Sequence, residues 1–174
     1  MARNLASGRR YRGLILALVA LGAIAIRLLS QSTDTASPKQ IGEGPFRVRR
    51  VVDGDTLLLE DRTRVRLIGV NTPEMTTNNG GPQPWAVEAT KFTESFIKGK
   101  NIYLQFDRER LDPYERTLAY VQVGDRMLNE ELVRAGLARV PGHYRYRASA
   151  RRRFEQLRDE ARAAKRGIWS GGGK

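Results

Sequence analysis

Asp53 and Asp55 stand two residues apart in the run Val52-Asp53-Gly54-Asp55-Thr56. In an extended segment residues i and i+2 point to the same side, so the pair can offer carboxylate oxygens to a hard cation. Taken alone, the run reads equally well as an Asp-Gly turn. A second group is Arg66-Leu67-Ile68-Gly69-Val70-Asn71-Thr72-Pro73-Glu74. It brings an arginine on a strand and an amide, a hydroxyl and a carboxylate on the loop that follows. The third is Asp112-Pro113-Tyr114-Glu115-Arg116-Thr117-Leu118-Ala119-Tyr120, an acidic and aromatic turn with an arginine at the mouth of a strand. The chain has no cysteine and one histidine, His143. Disulfides, zinc–thiolate sites and cysteine nucleophiles are excluded, and His143, in a Pro-Gly loop, reads as a solvated residue. Chemistry in this chain falls to carboxylates, arginines and a metal ion.

Those groups must be held by a scaffold, and the pattern from Phe46 onward supplies one. Phe46–Val52, Thr56–Glu60 and Thr63–Val70 are rich in β-branched and aliphatic residues and are separated by turn signals. A loop, Met75 to Pro82, leads to a helix with Pro84 near its first turn and Gly99 just past its end. Trp85, Ala89, Phe92 and Phe96 recur on it at helical spacing and read as core. Strands follow at Ile102–Phe106 and Thr117–Val123. A short helix then has Asn129 as its expected cap and Gly136 as its stop. The last helix, from about Ser149 to Lys165, carries the apolar stripe Phe154, Leu157, Ala161 and Ala164, and Ile168-Trp169 is expected to plug the core. Five strands with a helix between the third and fourth predict an α+β, mainly β fold: a five-stranded OB-type Greek-key barrel with three helices.

The first 44 residues differ from the rest. Four arginines precede the uncharged run Gly13 to Ile26. At about 1.5 Å per residue the run spans roughly 21 Å, less than a hydrocarbon core of about 30 Å. It reads as a signal-peptide core with a small-x-small site at Ala23-Ile24-Ala25. It reads equally as an uncleaved membrane anchor, if Arg27 snorkels. In both cases the C-terminal part lies outside the cytoplasm. The expected organisation is a signal peptide or anchor over 1–29, a flexible linker over 30–44, one folded domain over 45–170 and a tail over 171–174. The formal net charge is +12, of which +8 falls after residue 45. That excess suggests a polyanionic partner, nucleic acid or an anionic membrane surface.

Together the three groups resemble the staphylococcal nuclease (thermonuclease) family in order and spacing, from about Phe46 to Ser170. Leu128 to Ala138 and the closing Gly167-Ile168-Trp169-Ser170 extend the likeness. The resemblance implies a Ca²⁺-dependent endonuclease, a monomer acting on DNA or RNA. It implies that Asp55 binds the metal with Asp53 close by, and that Thr72 offers its backbone carbonyl. Glu74 would orient or deprotonate the attacking water, and Arg66 and Arg116 would grip the phosphate. Two guanidiniums and a dication offset the negative charge that builds on a phosphodiester under attack.

Two positions depart from the family's pattern. Asn71 stands where a second metal-binding aspartate is usual, and keeps a coordinating oxygen while losing a charge. Glu115 stands where glycine is usual, beside Arg116. Tyr114 and the Tyr144-Arg145-Tyr146-Arg147 run interleave aromatic rings with cations, a pattern suited to stacking on bases and pairing with phosphates, or simply to a solvated basic loop. The rival reading is a barrel that keeps the architecture and binds nucleic acid or protein without cleaving anything.

Overall fold

The computed structural model describes residues 43–171 apart from 79, 143 and 144. The expected targeting segment, most of the linker, His143 and Tyr144 lie outside the described residues. Strands β1 (Glu43–Phe46), β2 (Val48–Asp53), β3 (Thr56–Leu59) and β4 (Arg64–Leu67) come first, then helix α1 (Ala86–Ile97). Strands β5 (Ile102–Gln105), β6 (Thr117–Val123) and β7 (Arg126–Met127) follow, then α2 (Leu128–Arg134), α3 (Ala148–Ala163) and a 3₁₀ turn over Gly167–Trp169. These residues belong to one unit spanning Gln40–Lys174.

The seven strands form one mixed sheet in the order β1-β5-β6-β4-β3-β2, with β7 on β6. Among the described residues only the β4–β6 pair is parallel. The expected five-stranded barrel is corrected in three ways: the two-residue β7 follows the Gly124-Asp125 turn, where a helix was expected to start, the first strand is split, and the sheet stays open. The segment read as a single first strand is divided at Arg47: β1 pairs with β5 while β2 pairs with β3. The two ends of the hydrogen-bonded path are therefore consecutive in the chain, yet not paired with each other, and among the described residues no ladder closes the sheet. The reason is local. Apolar alternation continues across Arg47, so periodicity alone cannot show where the backbone changes partner.

Leu57, Leu59, Val65 and Leu67 from β3 and β4 face Ile102, Leu104 and Val121 in a core that α2 and α3 cover with Leu128, Leu132, Phe154 and Leu157. All of these side chains are buried. Asn129 is not the cap of α2. The helix begins one residue earlier, and Asn129 sits fully buried in its first turn. Its Nδ2 donates to the Ile68 carbonyl at 2.9 Å and its Oδ1 accepts from the Val121 amide at 3.0 Å. The side chain thus pairs two backbone groups where β4 and β6 lose each other, which matters because an unpaired buried backbone group is costly. The closing Ile168 and Trp169 are half-buried and do not fill the core. Arg139 and Arg162 lie over the Trp169 ring at 5.3 and 5.8 Å. Among the described residues, no helix is long and apolar enough to cross a membrane.

Candidate active site

The site is assembled at the ends of β2, β4 and the turn entering β6. Asp53 closes β2, and Gly54 and Asp55 form the two-residue turn to β3, with Asp53 paired to Thr56. Glycine is required at 54 by crowding. A Cβ there would lie 2.8 Å from both Ala89 Cβ and Thr72 Cγ2. The Gly54 carbonyl accepts from Thr93 Oγ1 at 2.7 Å, so α1 locks the turn from behind and sends Asp55 inward.

Asp55 is 2 % exposed. Its Oδ2 accepts from the Thr72 amide at 2.7 Å and lies 3.1 Å from Arg66 Nη1, and its Oδ1 accepts from Thr56 Oγ1 at 3.1 Å. Burial pushes the carboxyl up to about 7, with Asp53 adding to the rise and Arg66 and the Thr72 amide opposing it. Arg66 and the local hydrogen bonds therefore leave the carboxylate under-compensated. Arg66 is held from four sides: Nη1 donates to the carbonyls of Leu67 (2.8 Å) and Val70 (2.9 Å), Nη2 donates to Asn71 Oδ1 (2.8 Å), and Asp55 supplies the counter-charge. Sharp return of the chain after β4 brings those carbonyls to one guanidinium. Gly69 makes that return at φ +73°, and a Cβ on it would meet the Tyr146 ring at 2.8 Å.

Arg116 reaches the same cavity from the other side. Asp112 organises its turn: Oδ1 accepts from the amides of Tyr114 and Arg116, each at 2.9 Å, and Oδ2 accepts from Arg116 Nε at 2.6 Å. Burial disfavours the ionised Asp112, but those hydrogen bonds and the Arg116 charge outweigh it and hold the carboxyl below its ordinary range. Among the described residues no acceptor engages the Nη atoms of Arg116, so that end of the fork is available. A cavity of about 280 Å³ is lined by Arg66, Arg116, Tyr114, Leu118, Arg145 and the backbone at Gly69. Glu74, exposed at the site's rim, feels all three neighbouring charges. Partial desolvation and Asp53 raise its carboxyl above its ordinary value, while Arg66 and Arg116 pull the other way. Its backbone is pinned across the loop by Gln83, whose amide donates to the Glu74 carbonyl and whose Oε1 accepts from the Glu74 amide, both at 2.9 Å.

Asp53, Asp55, Arg66, Asn71, Thr72, Glu74 and Arg116 are therefore brought to one region. Tyr114, 75 % exposed, stands at the cavity wall with the Arg116 guanidinium 5.5 Å from its ring centre. Tyr146 is placed differently from the stacking role expected of it. Its ring packs on Phe154 with centroids 6.0 Å apart, Arg151 covers it, and its hydroxyl is buried without a hydrogen-bond partner among the described residues. Asp112 and Gln83 are the positioning residues that sequence reasoning did not single out. An Asp four residues before an Arg across a Pro-containing turn is a usable signal for the first. Gln83 carries none, because its partner is nine residues away.

As a cation site the region offers oxygen donors from Asp53, Asp55, Asn71 and Thr72. Thr72 Oγ1 is buried and unpaired, and Asp55 lacks full counter-charge, two features that suit an added cation. The set is lean: among the described residues no cluster of three or more acidic, histidine or cysteine side chains converges to hold a metal.

Fold and site together define a mixed-sheet α+β domain with paired arginines facing a carboxylate-lined loop. The family model described as Staphylococcal nuclease homologue matches residues 64–171. The thermonuclease of Staphylococcus hyicus is 36 % identical over 163 residues, covering 91 % of this chain and 96 % of that protein. The thermonuclease of Staphylococcus intermedius is 39 % identical over 146 residues, covering 74 % and 84 %. Endonuclease YncB of Bacillus subtilis (strain 168) is 34 % identical over 128 residues, covering 71 % and 61 %. The chain belongs to the staphylococcal nuclease family.

Proposed function

We propose that this protein is a nuclease that hydrolyses phosphodiester bonds of DNA or RNA with the help of Ca²⁺. The observation that carries the reading is the single cavity walled by Arg66 and Arg116, with Glu74 within electrostatic reach of both. Thermonuclease and endonuclease relatives support it. Two fixed guanidiniums oriented toward one cavity are preorganised for a phosphate whose oxygens gain charge during attack. Arg66 needs no reorganisation, because Leu67, Val70, Asn71 and Asp55 already hold it. Arg116 keeps its outer fork free, because Asp112 takes only Nε. Glu74, with its proton affinity raised, is suited to orient water and accept its proton. Tyr114 offers an exposed ring on which a base can stack.

Ca²⁺ would be held by Asp55, Asp53, Asn71 and the Thr72 carbonyl. When bound it supplies Lewis-acid polarisation of a phosphoryl oxygen and of water. With Asn71 in place of a carboxylate the affinity falls toward the roughly 10⁻⁴–10⁻³ M typical of extracellular modules. The basic flank and the apolar run Gly13 to Ile26 support delivery of the domain across a membrane, an assignment that fractionation into medium, membrane and cytosol tests. A barrel that only binds would not need the full set of Asp55, Arg66, Glu74 and Arg116. The test of the main reading is incubation with single-stranded DNA and RNA, with Ca²⁺ and with EDTA, beside an Arg116→Ala control. Cleavage that needs the metal and Arg116 supports the reading; binding without cleavage moves the protein to the rival class.

A further inference from the structure

A second concavity, of about 610 Å³, lies between the start of β2 and the C-terminal half of α1. Its walls carry Arg47, Arg49, Arg50, Lys91, Lys98 and Lys100 against Glu60 and Glu94. Adjacent strand residues normally face opposite sides. Here the register shifts between Val48 and Arg50, and Arg49 and Arg50 are both exposed. Lys100 is already engaged with the Phe96 carbonyl at 3.0 Å. Arg47, Arg49, Arg50, Lys91 and Lys98 have no ion pair among the described residues, in contrast to Arg66, Arg116, Arg126, Arg147 and Arg153. Val48, Val51 and Ile97 supply apolar wall between the charges. Like charges gathered in a concavity with low-dielectric walls focus a positive field. Glu60 and Glu94 offset only part of that charge, so the cations repel one another unless a further anion is present.

We propose that this groove is a second nucleic-acid site, which holds the phosphate backbone of a strand outside the catalytic cavity and feeds it toward Arg66 and Arg116. It rests on the nuclease reading for the identity of the polyanion. The shape favours a strand over a membrane, since a planar lipid surface meets convex patches, whereas a phosphodiester chain can lie in a trough. The placement fits as well. β2 lines the groove from Val48 to Val51 and ends beside the site at Asp53, so the far end of the groove lies five steps of about 3.3 Å, or about 17 Å, from Asp53. At about 3.4 Å per stacked nucleotide a strand lying along the groove to Asp53 covers about five nucleotides. A long strand occupies both, and a dinucleotide only one.

The test uses the full chain and the triple variant Arg49→Gln/Arg50→Gln/Lys98→Gln. With an oligothymidylate of about 16 nucleotides, a single-strand site size at the upper end for small barrels, KM is expected to rise about tenfold at low salt with kcat unchanged. With the dinucleotide neither constant moves. Binding of the same fluorescein-labelled strand, followed by anisotropy in an Arg116→Ala background that leaves it intact, should lose about 2 from the slope of log K against log salt, three contacts at about 0.7 each. Arg49→Lys/Arg50→Lys/Lys98→Arg should restore the slope. An unchanged KM and slope for the long strand, or an equal loss on the dinucleotide, overturns the groove. So does a triple variant that binds the strand normally but no longer binds phosphatidylglycerol vesicles. If the wild type cleaves neither substrate, the nuclease reading falls, and the anisotropy measurement still decides on the groove.

Discussion

Glu115 adopts φ +60° in the turn that presents Arg116. An L-residue with a Cβ in that region carries strain of about 1–2 kcal/mol. Its amide donates to the Asp112 carbonyl at 3.0 Å, a bond any residue keeps, and its side chain is exposed. Glu115→Gly removes the strain and loses no side-chain contact. Against this stands the larger conformational freedom of glycine in the unfolded chain, which costs about 0.4–1 kcal/mol. The net expectation is a gain of about 0.8 kcal/mol, or about 3 °C in Tm for a domain of this size. Glu115→Ala separates backbone from charge: it also removes the carboxylate but keeps the Cβ, so its Tm should stay within about a degree of wild type. Both variants remove an exposed negative charge beside Arg116, the arginine proposed to face the phosphate. That repulsion is worth about 0.5–1 kcal/mol in a solvated setting, so kcat/KM should rise about two- to five-fold in both at low salt. Calorimetric melting of the three proteins, with cleavage rates at two ionic strengths, reads both effects. Equal Tm values for the glycine and alanine variants, or a lower Tm for glycine, would refute the strain argument.

Other expectations follow from the same geometry. Arg116→Ala should lower kcat by about 10²–10³ with little change in fold, since it removes a preorganised donor; cleavage at the wild-type rate would make Arg116 structural. Asn71→Asp adds a charge to the proposed cation site and should lower the Ca²⁺ concentration for half-maximal cleavage, as calorimetric titration and activity curves together would show. Asn129→Ala strands the Ile68 carbonyl and the Val121 amide and should cost about 2–4 kcal/mol in urea denaturation. Asp107 accepts from Tyr120 Oη and the Arg147 amide, both at 2.7 Å. Burial works against its ionisation, but these bonds, the Arg108 amide and the Arg147 charge hold it below its ordinary 3.8. Its stabilisation is therefore complete above pH ~4 and lost as pH falls through the lower folded value. Asp107→Asn should flatten the decline of Tm in that acid range.

Much of the candidate site was legible in the residues because its parts are local. Asp53 and Asp55 share one turn, Arg66 to Glu74 share one strand and loop, and Arg116 closes a turn of five residues. Strand and helix positions followed from apolar periodicity for the same reason, as with α1 between Pro84 and Gly99. Tyr146 was legible as an aromatic beside cations, but not as a ring packed on Phe154, because chain spacing says nothing about which face meets the core.

The sequence by itself determined the family, the positions of the three helices and of the central strands, and the types of group available for chemistry, since these depend on composition and short-range spacing. Tertiary structure alone decided where the first strand changes partner at Arg47, that Asn129 joins two strands rather than caps a helix, and that Gln83 pins Glu74. It also decided that Asp55 is buried with its proton affinity raised, and that Arg49 and Arg50 share a groove with Lys91 and Lys98. Each of these depends on desolvation or on contact between residues distant in the chain. Both are properties of the packed fold, and no local pattern encodes them.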